Sequence, residues 1–383
     1  MPSLATGEST GYSDGQFRAE TGRGLYFMRI RRRLPIIVGV LLVAAAVVLV
    51  VQLRRHAPPE PARLLPGADG FFYVNLQWVR RVNAIGPWPP VSHDPEYQRF
   101  IEETGIEFER DLNRAAFAVH YPAGQGSKRG VGGGEVRFSE VFEGSIHAEK
   151  LTAYLRKISQ SVDNYHSVDI FSIPLEGRTV RVAILGVDTV AVSNHDDPAT
   201  IRGIIDRSRK LASPFAGPAF LRQYYKEVPI ASLAWAIVRV DSSNSRSPLA
   251  GGAWSLLFPK PAVVVASARY LRALHLRAEA FAQNEDDAQS IADQTNNFIG
   301  ILHTAESSTS DQGADPDIRA FFSSLKVDHE GKRAVLTALV PPGFIRKVFT
   351  EPPPLPPGPE EKSSPTPFTP PGKTVKKKAP VAK

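Results

Sequence analysis

Apolar residues recur with two periods along residues 64–350, and segments of the two kinds alternate in chain order. Short apolar or alternating runs predict strands at 71–76, 115–121, 135–143, 168–174, 179–185, 189–193, 231–240 and 262–266, since successive strand side chains face opposite ways. Residues 271–282 alternate as Leu274, Leu276, Ala278 and Ala280. Helical spacing predicts 148–159, with Leu151, Tyr154, Leu155 and Ile158 on one face, and 199–209, with Ile201, Ile204 and Ile205. Further helices are expected at 77–84, 95–104, 286–302, 316–325 and 344–349. Glu176-Gly177-Arg178 and Glu330-Gly331-Lys332 sit between paired apolar runs and signal hairpins.

The stretches PLEGRTVRVAIL and DHEGKRAVLTAL each place Glu-Gly-basic at a turn with a period-2 strand after it. Each follows a strand that runs into an amphipathic helix, so the second half repeats the order of the first. The expected fold class is α+β. It is a duplicated unit of strand, strand, strand, helix, strand, strand, with antiparallel sheets and helices packed on one face. The lobes would span 67–212 and 213–350.

Leu34 to Val51 is an unbroken apolar run of 18 residues, long enough to cross about 30 Å of hydrocarbon as a helix. Arg29, Arg31, Arg32 and Arg33 precede it, while only Arg54 and Arg55 follow. The positive-inside rule then keeps the N-terminus in the cytoplasm and exports everything after residue 55. No small-x-small cleavage site closes the run, so 29–55 reads as an uncleaved single-pass anchor rather than a signal peptide. Residues 1–28 lack apolar periodicity and read as a disordered N-terminus, with Met28, directly before the arginines, as the expected true start. Residues 56–66 read as an extended Pro-rich spacer. Residues 351–383 hold 11 of the 33 prolines and read as a disordered Pro/Lys-rich tail.

The formal charge of +7 changes meaning once mapped, because residues 56–350 sum to only −1 and the excess lies at the ends. A neutral body argues against nucleic acid as a partner. Absence of cysteine excludes disulfides, thiolate metal sites and cysteine nucleophiles. None of the nine histidines forms His-x-His, His-x-x-x-His or His-Glu-x-x-His, so no metal ligand is assigned. Ser193 to Pro198 and Ser92 to Glu96 are the polar clusters, and both read as helix caps, through Asp197-Pro198 and Asp94-Pro95. The glycine-rich stretch 126–134 enters a strand rather than a helix, which excludes a phosphate loop. No catalytic or cofactor-binding residue and no cofactor is assigned. Trp88, held among prolines, and the tail lysines Lys376, Lys377 and Lys378 are the candidate contacts for a partner or for lipid headgroups.

The single N-terminal anchor, the start Leu65-Pro66-Gly67-Ala68-Asp69 and the late pattern LKVDHEGKRAVLTALVP carry a resemblance. The chain resembles a family of bacterial single-pass, membrane-anchored extracytoplasmic proteins of unknown function. The resemblance implies an exported two-lobed α+β body and brings no catalytic residues. Together these features point to a non-enzymatic binding or scaffold module at the bacterial cytoplasmic (inner) membrane, its body periplasmic. Its partner would be an envelope protein or anionic polymer. Two alternatives stay open. One is an extracytoplasmic hydrolase whose site assembles only in the fold, for which His93 and His195 would meet. The other is a lipid or hydrophobic-ligand binder, for which a continuous apolar cavity would lie between the lobes.

Overall fold

The computed structural model describes residues 57–81, 93–121, 135–209, 217–241, 256–309 and 316–345. The expected anchor from Leu34 to Val51, Arg29, Arg31, Arg32, Arg33, Trp88, Lys376, Lys377 and Lys378 lie outside these residues, as do segments 1–28 and 351–383. Among the described residues no helix is long and apolar enough to cross a membrane.

The elements run in the order α1 (Glu60–Leu64), β1 (Gly70–Asn75), α2 (Leu76–Arg81), α3 (Pro95–Thr104), α4 (Phe108–Asp111), β2 (Leu112–His120) and β3 (Arg137–Gly144). There follow α5 (Ala148–Ile158), β4 (Ser161–Tyr165), β5 (Val168–Leu175), β6 (Arg178–Ile184), β7 (Thr189–Ser193), α6 (Ala199–Arg209) and α7 (Ala219–Tyr225). The last group is β8 (Ala234–Val240), β9 (Ala262–Tyr270), β10 (Leu274–Phe281), α8 (Glu285–Thr309), α9 (Pro316–Ser324), β11 (Lys326–Glu330) and β12 (Arg333–Val340). The protein is α+β. Its 12 described strands form one antiparallel sheet in the order β11-β12-β10-β9-β8-β1-β2-β3-β7-β6-β5-β4. The β1–β8 pair joins the strands of the two halves, with Phe72 opposite Ala236 and Tyr73 opposite Trp235.

Helices pack on both faces of this sheet, which corrects the expectation of one helical face. Opposed residues of an antiparallel pair share a face, so the register assigns each side chain. On the first face Phe71, Tyr73, Ala116, Ala118, Val141, Trp235 and Ile237 pack beneath α1, α6 and α7, through Leu64, Ile201, Ile204, Ile205 and Leu221. On the second, Phe171, Val182 and Val190 receive Leu151 and Leu155 of α5, while Ala280 and Ala334 receive Ile291 and Ala292 of α8. β8 and β9 read as near-continuous apolar runs because one face, with Trp235, Ile237 and Val265, enters the main core while Val240, Ala262 and Val264 of the other meet the second cluster.

The Pro-rich segment 56–66 is likewise not an extended spacer. Pro59 takes φ −53° and ψ 151° just before α1, and Pro61 falls in its first turn, where a missing N–H costs nothing. Ala62, Leu64 and Leu65 are then wholly buried in the main core. Of the two matched hairpins, β11–β12 lies directly against β10, whereas β7 separates β5–β6 from β3. Gly177 (φ 77°) and Gly331 (φ 56°) supply the left-handed turn residues at the places the sequence marked.

Candidate functional site

Between the two helical groups on the second face lies an apolar cavity of about 500 Å³. Its floor is two rows of facing side chains that cross from strand to strand. One row is Phe117, Phe72, Ala236, Ala266, Ala278 and Leu336, and the other contains Val74, Ala234, Ala268, Leu276 and Ala338. Phe321 of α9 and Leu325 form a side wall. The six strands involved, from β2 to β12, are five spacings apart, a trough roughly 24 Å long at about 4.8 Å per spacing. The cavity exists because most of the floor residues in β8, β9 and β10 are alanines, whose methyl groups leave a layer unfilled.

Tyr73, Trp235, Ser267 and Arg277 also border the trough, but their register places their side chains on the opposite face. There Tyr73 stacks on Trp235 with ring centroids 5.5 Å apart, and Arg277 Nε donates to Glu279 Oε1 at 2.6 Å. Arg333 donates to the other oxygen of this buried carboxylate at 3.3 Å. The polar groups of β10 and β12 thus gather on one face and leave the trough dry. The α9 wall is pinned to β12, since Ser324 Oγ accepts from the Leu339 N–H at 2.8 Å while lying 2.7 Å from the Phe321 carbonyl and 3.0 Å from that of Leu339. Phe321 stacks on Phe344 at 5.0 Å.

One charged residue interrupts the apolar rows. Glu140 of β3 stands directly opposite Phe117, one strand beyond the cavity floor. Its same-face neighbours on β2, β3 and β7 are Ala115, Phe117, Val119, Phe138, Phe142, Val190 and Val192. Burial among them pushes its carboxyl above the ordinary range. On its far side a smaller cavity of about 160 Å³ lies under α3 and α5, lined by Phe100, Ile106, Phe142, Leu151, Val182 and Val192 among others.

The structure does not bring His93 and His195 together. The His195 ring packs against His120 at 5.1 Å between centroids, and Asp197 N–H donates to its Nδ1 at 3.1 Å. His120 Nε2 lies 3.1 Å from Ser139 Oγ, which lies 3.0 Å from Ser193 Oγ. Ser139 is 0% exposed, so its hydroxyl cannot meet a substrate, and this network reads as the pairing of buried polar groups. Burial, with the neighbouring His195 also contributing, pushes His120 down to about 4. His93 instead faces Tyr97 and lies 3.9 Å from Glu109. With Glu107 these form the one grouping of potential metal donors among the described residues, their ligand atoms within 4.8 Å of one another. Both carboxylates are already engaged: Glu109 accepts from Tyr97 Oη at 2.7 Å, and Glu107 from Arg110 at 2.9 Å. Both expected caps form. Asp197 Oδ1 accepts from Ala199 N–H, and Asp94 accepts from Glu96 and Tyr97 N–H.

Neither the trough nor Glu140 was singled out by the sequence reading. The alternation of Leu274, Leu276, Ala278 and Ala280 was visible, but its meaning depends on which strands stand beside it. No protein-family model matches the chain, and no curated protein matches it. Among solved structures the chain is similar to crystal form I of TP0453, at 11% identity and a TM-score of 0.39, covering 76% of this chain and 97% of that one. Crystal form III of the same protein gives 10% identity and a TM-score of 0.38, over 76% of this chain and 98% of that one. Likeness at this level carries no argument about what the chain does.

Proposed function

We propose that the body is a non-enzymatic binding module for a single apolar chain, such as the acyl tail of a lipid. The observation that carries this reading is the trough: about 500 Å³, floored by alanine, valine, leucine and phenylalanine, and set where β1 and β2 meet β8, β9, β10 and β12. Volumes of roughly 300–1,000 Å³ are usual for ligand pockets. The floor is a strip crossing six strands with Phe321 and Leu325 at its side, which suits a long thin occupant better than a broad partner surface. The scaffold and hydrolase readings have less support, since among the described residues no polar constellation opens into the trough and the serine beside His120 is sealed.

The sequence supports placing this module at a bacterial cytoplasmic membrane, with Leu34 to Val51 as anchor, the N-terminus inside and the body in the periplasm. The outward strand orders β1-β2-β3-β7-β6 and β8-β9-β10-β12-β11 support a duplicated origin, but with β11–β12 as counterpart of β6–β7, so the Gly177 and Gly331 turns are not equivalent and β4 and β5 are extra to the first half. The binding test uses the full chain in non-ionic detergent with an uncharged alkyl alcohol bearing a photoreactive diazirine. Cross-links should concentrate on peptides from β9 and β10 and fall when excess hexadecanol is added. Label confined to the anchor and spread over the surface, with none on those strands, refutes the reading.

A further inference from the structure

Glu140 gives the trough a second property. Glu140 is half-buried among apolar side chains, so its carboxyl keeps only part of its hydration, and a cation or donor placed beside it would compensate for the rest. Among the described residues Glu140 has no hydrogen-bond or ion-pair partner, and burial alone accounts for its perturbation. It lies in the same cross-strand row as Phe117, Phe72, Ala236, Ala266 and Ala278. By strand count it stands one spacing from the end of the cavity floor, about 5 Å beyond Phe117. Phe117, which stands between the trough and the carboxyl, is half-buried, and Phe72 and Phe138 are each 38% exposed, so this part of the face reaches solvent.

We propose that the trough takes a cationic amphiphile, with its apolar tail along the alanine floor and its ammonium head on the Glu140 carboxylate. The inference rests on the binding reading above and adds the class of head. An ammonium supplies three donors and a full charge to a group that has neither, and in an apolar surround such a charge-assisted contact is stronger than in water. A carboxylate head would instead set two negative charges together and is excluded from this end. An alcohol offers one neutral donor and gains less.

The test competes the uncharged photoprobe on the full chain with hexadecylamine, hexadecanol and hexadecanoate, all of one chain length. The amine should displace the probe at about one-tenth the alcohol concentration, with the acid weakest. In the Glu140→Gln variant the amine should lose its advantage so that amine and alcohol converge, and labelling of that variant by the probe reports that it is folded. Equal potency of amine and alcohol on the wild type, or a preference that survives Glu140→Gln, overturns the head assignment and leaves the trough standing. Failure of the probe to label β9 and β10 at all overturns the binding reading, and this one with it.

Discussion

Filling the trough should stabilise the empty protein while abolishing its response to ligand. Ala266 and Ala278 are direct cross-strand neighbours in the middle of the floor, and neither is fully buried. Replacing both with leucine adds three carbons at each site, worth about 0.8 kcal/mol per carbon if fully buried. The trough is open above, so about half of that is realised, on the order of 1 kcal/mol per site. If the space were already filled, the same change would cost about 1–3 kcal/mol through overpacking. The sign therefore tests the cavity itself. Ligand at a hundredfold excess over Kd adds about 2.7 kcal/mol to a protein that binds it and nothing to one that does not. Chemical unfolding of the full chain in non-ionic detergent, followed by the fluorescence of buried Trp235, reads both quantities. The variant should be the more stable without ligand and the less stable with saturating alkyl ligand. A variant that is destabilised when empty, or that gains as much from ligand as the wild type, defeats the argument.

Two further outcomes follow from particular residues. His120 is held down to about 4 from an ordinary value near 6.5, so its neutral form favours the fold. The unfolded chain takes the proton first as pH falls, and stability present above about 6.5 is lost between there and 4. By pH 4.5 the loss is about 2.5 kcal/mol at roughly 1.4 kcal/mol per unit, and His120→Gln should remove most of it; equal losses in the two proteins would show that other groups govern acid lability. The β4–β5 turn places His166 and Ser167 at φ 50° and 61°, a conformation that glycine and asparagine adopt more readily. His166→Asn with Ser167→Gly should therefore raise stability by about 1 kcal/mol, measured as a shift in denaturant midpoint with unchanged slope.

The same turn explains part of what the sequence did not reveal. Glu176-Gly177 and Gly331 carry glycine where the backbone needs it, and their hairpins were legible. His166-Ser167 carries no such signal, and β4 before it is polar and almost wholly exposed, so neither composition nor period marks it as a strand. Alpha-helix α1 was hidden for the opposite reason: its prolines suggested extension, yet they fall at the start of a helix, where they are tolerated. Long periodic segments were easier. Leu151 with Leu155, and Ile201 with Ile204 and Ile205, were placed on buried helix faces by spacing alone, and all five are buried. What spacing could not supply was the strand order. The trough needs β8 beside β1, which pairs residues more than 160 positions apart, as with Phe72 and Ala236. A local pattern contains no information about such a partner.

That strand order also gives the alanines their meaning. Ala236, Ala266 and Ala278 lie in three different strands, each ordinary in its own segment, and become a single row only when β8, β9 and β10 stand side by side. A sheet face meant only for stability would carry larger side chains there beneath a helix, as Phe171 and Val182 do under α5. The row instead keeps the smallest apolar side chain at three adjacent strands, and α9 is fastened along its margin rather than over it. Small floor residues, a fixed wall and one partnerless carboxyl at the end of the same row are three independent choices. A packed core requires none of them, and a seat for an amphiphile uses all three.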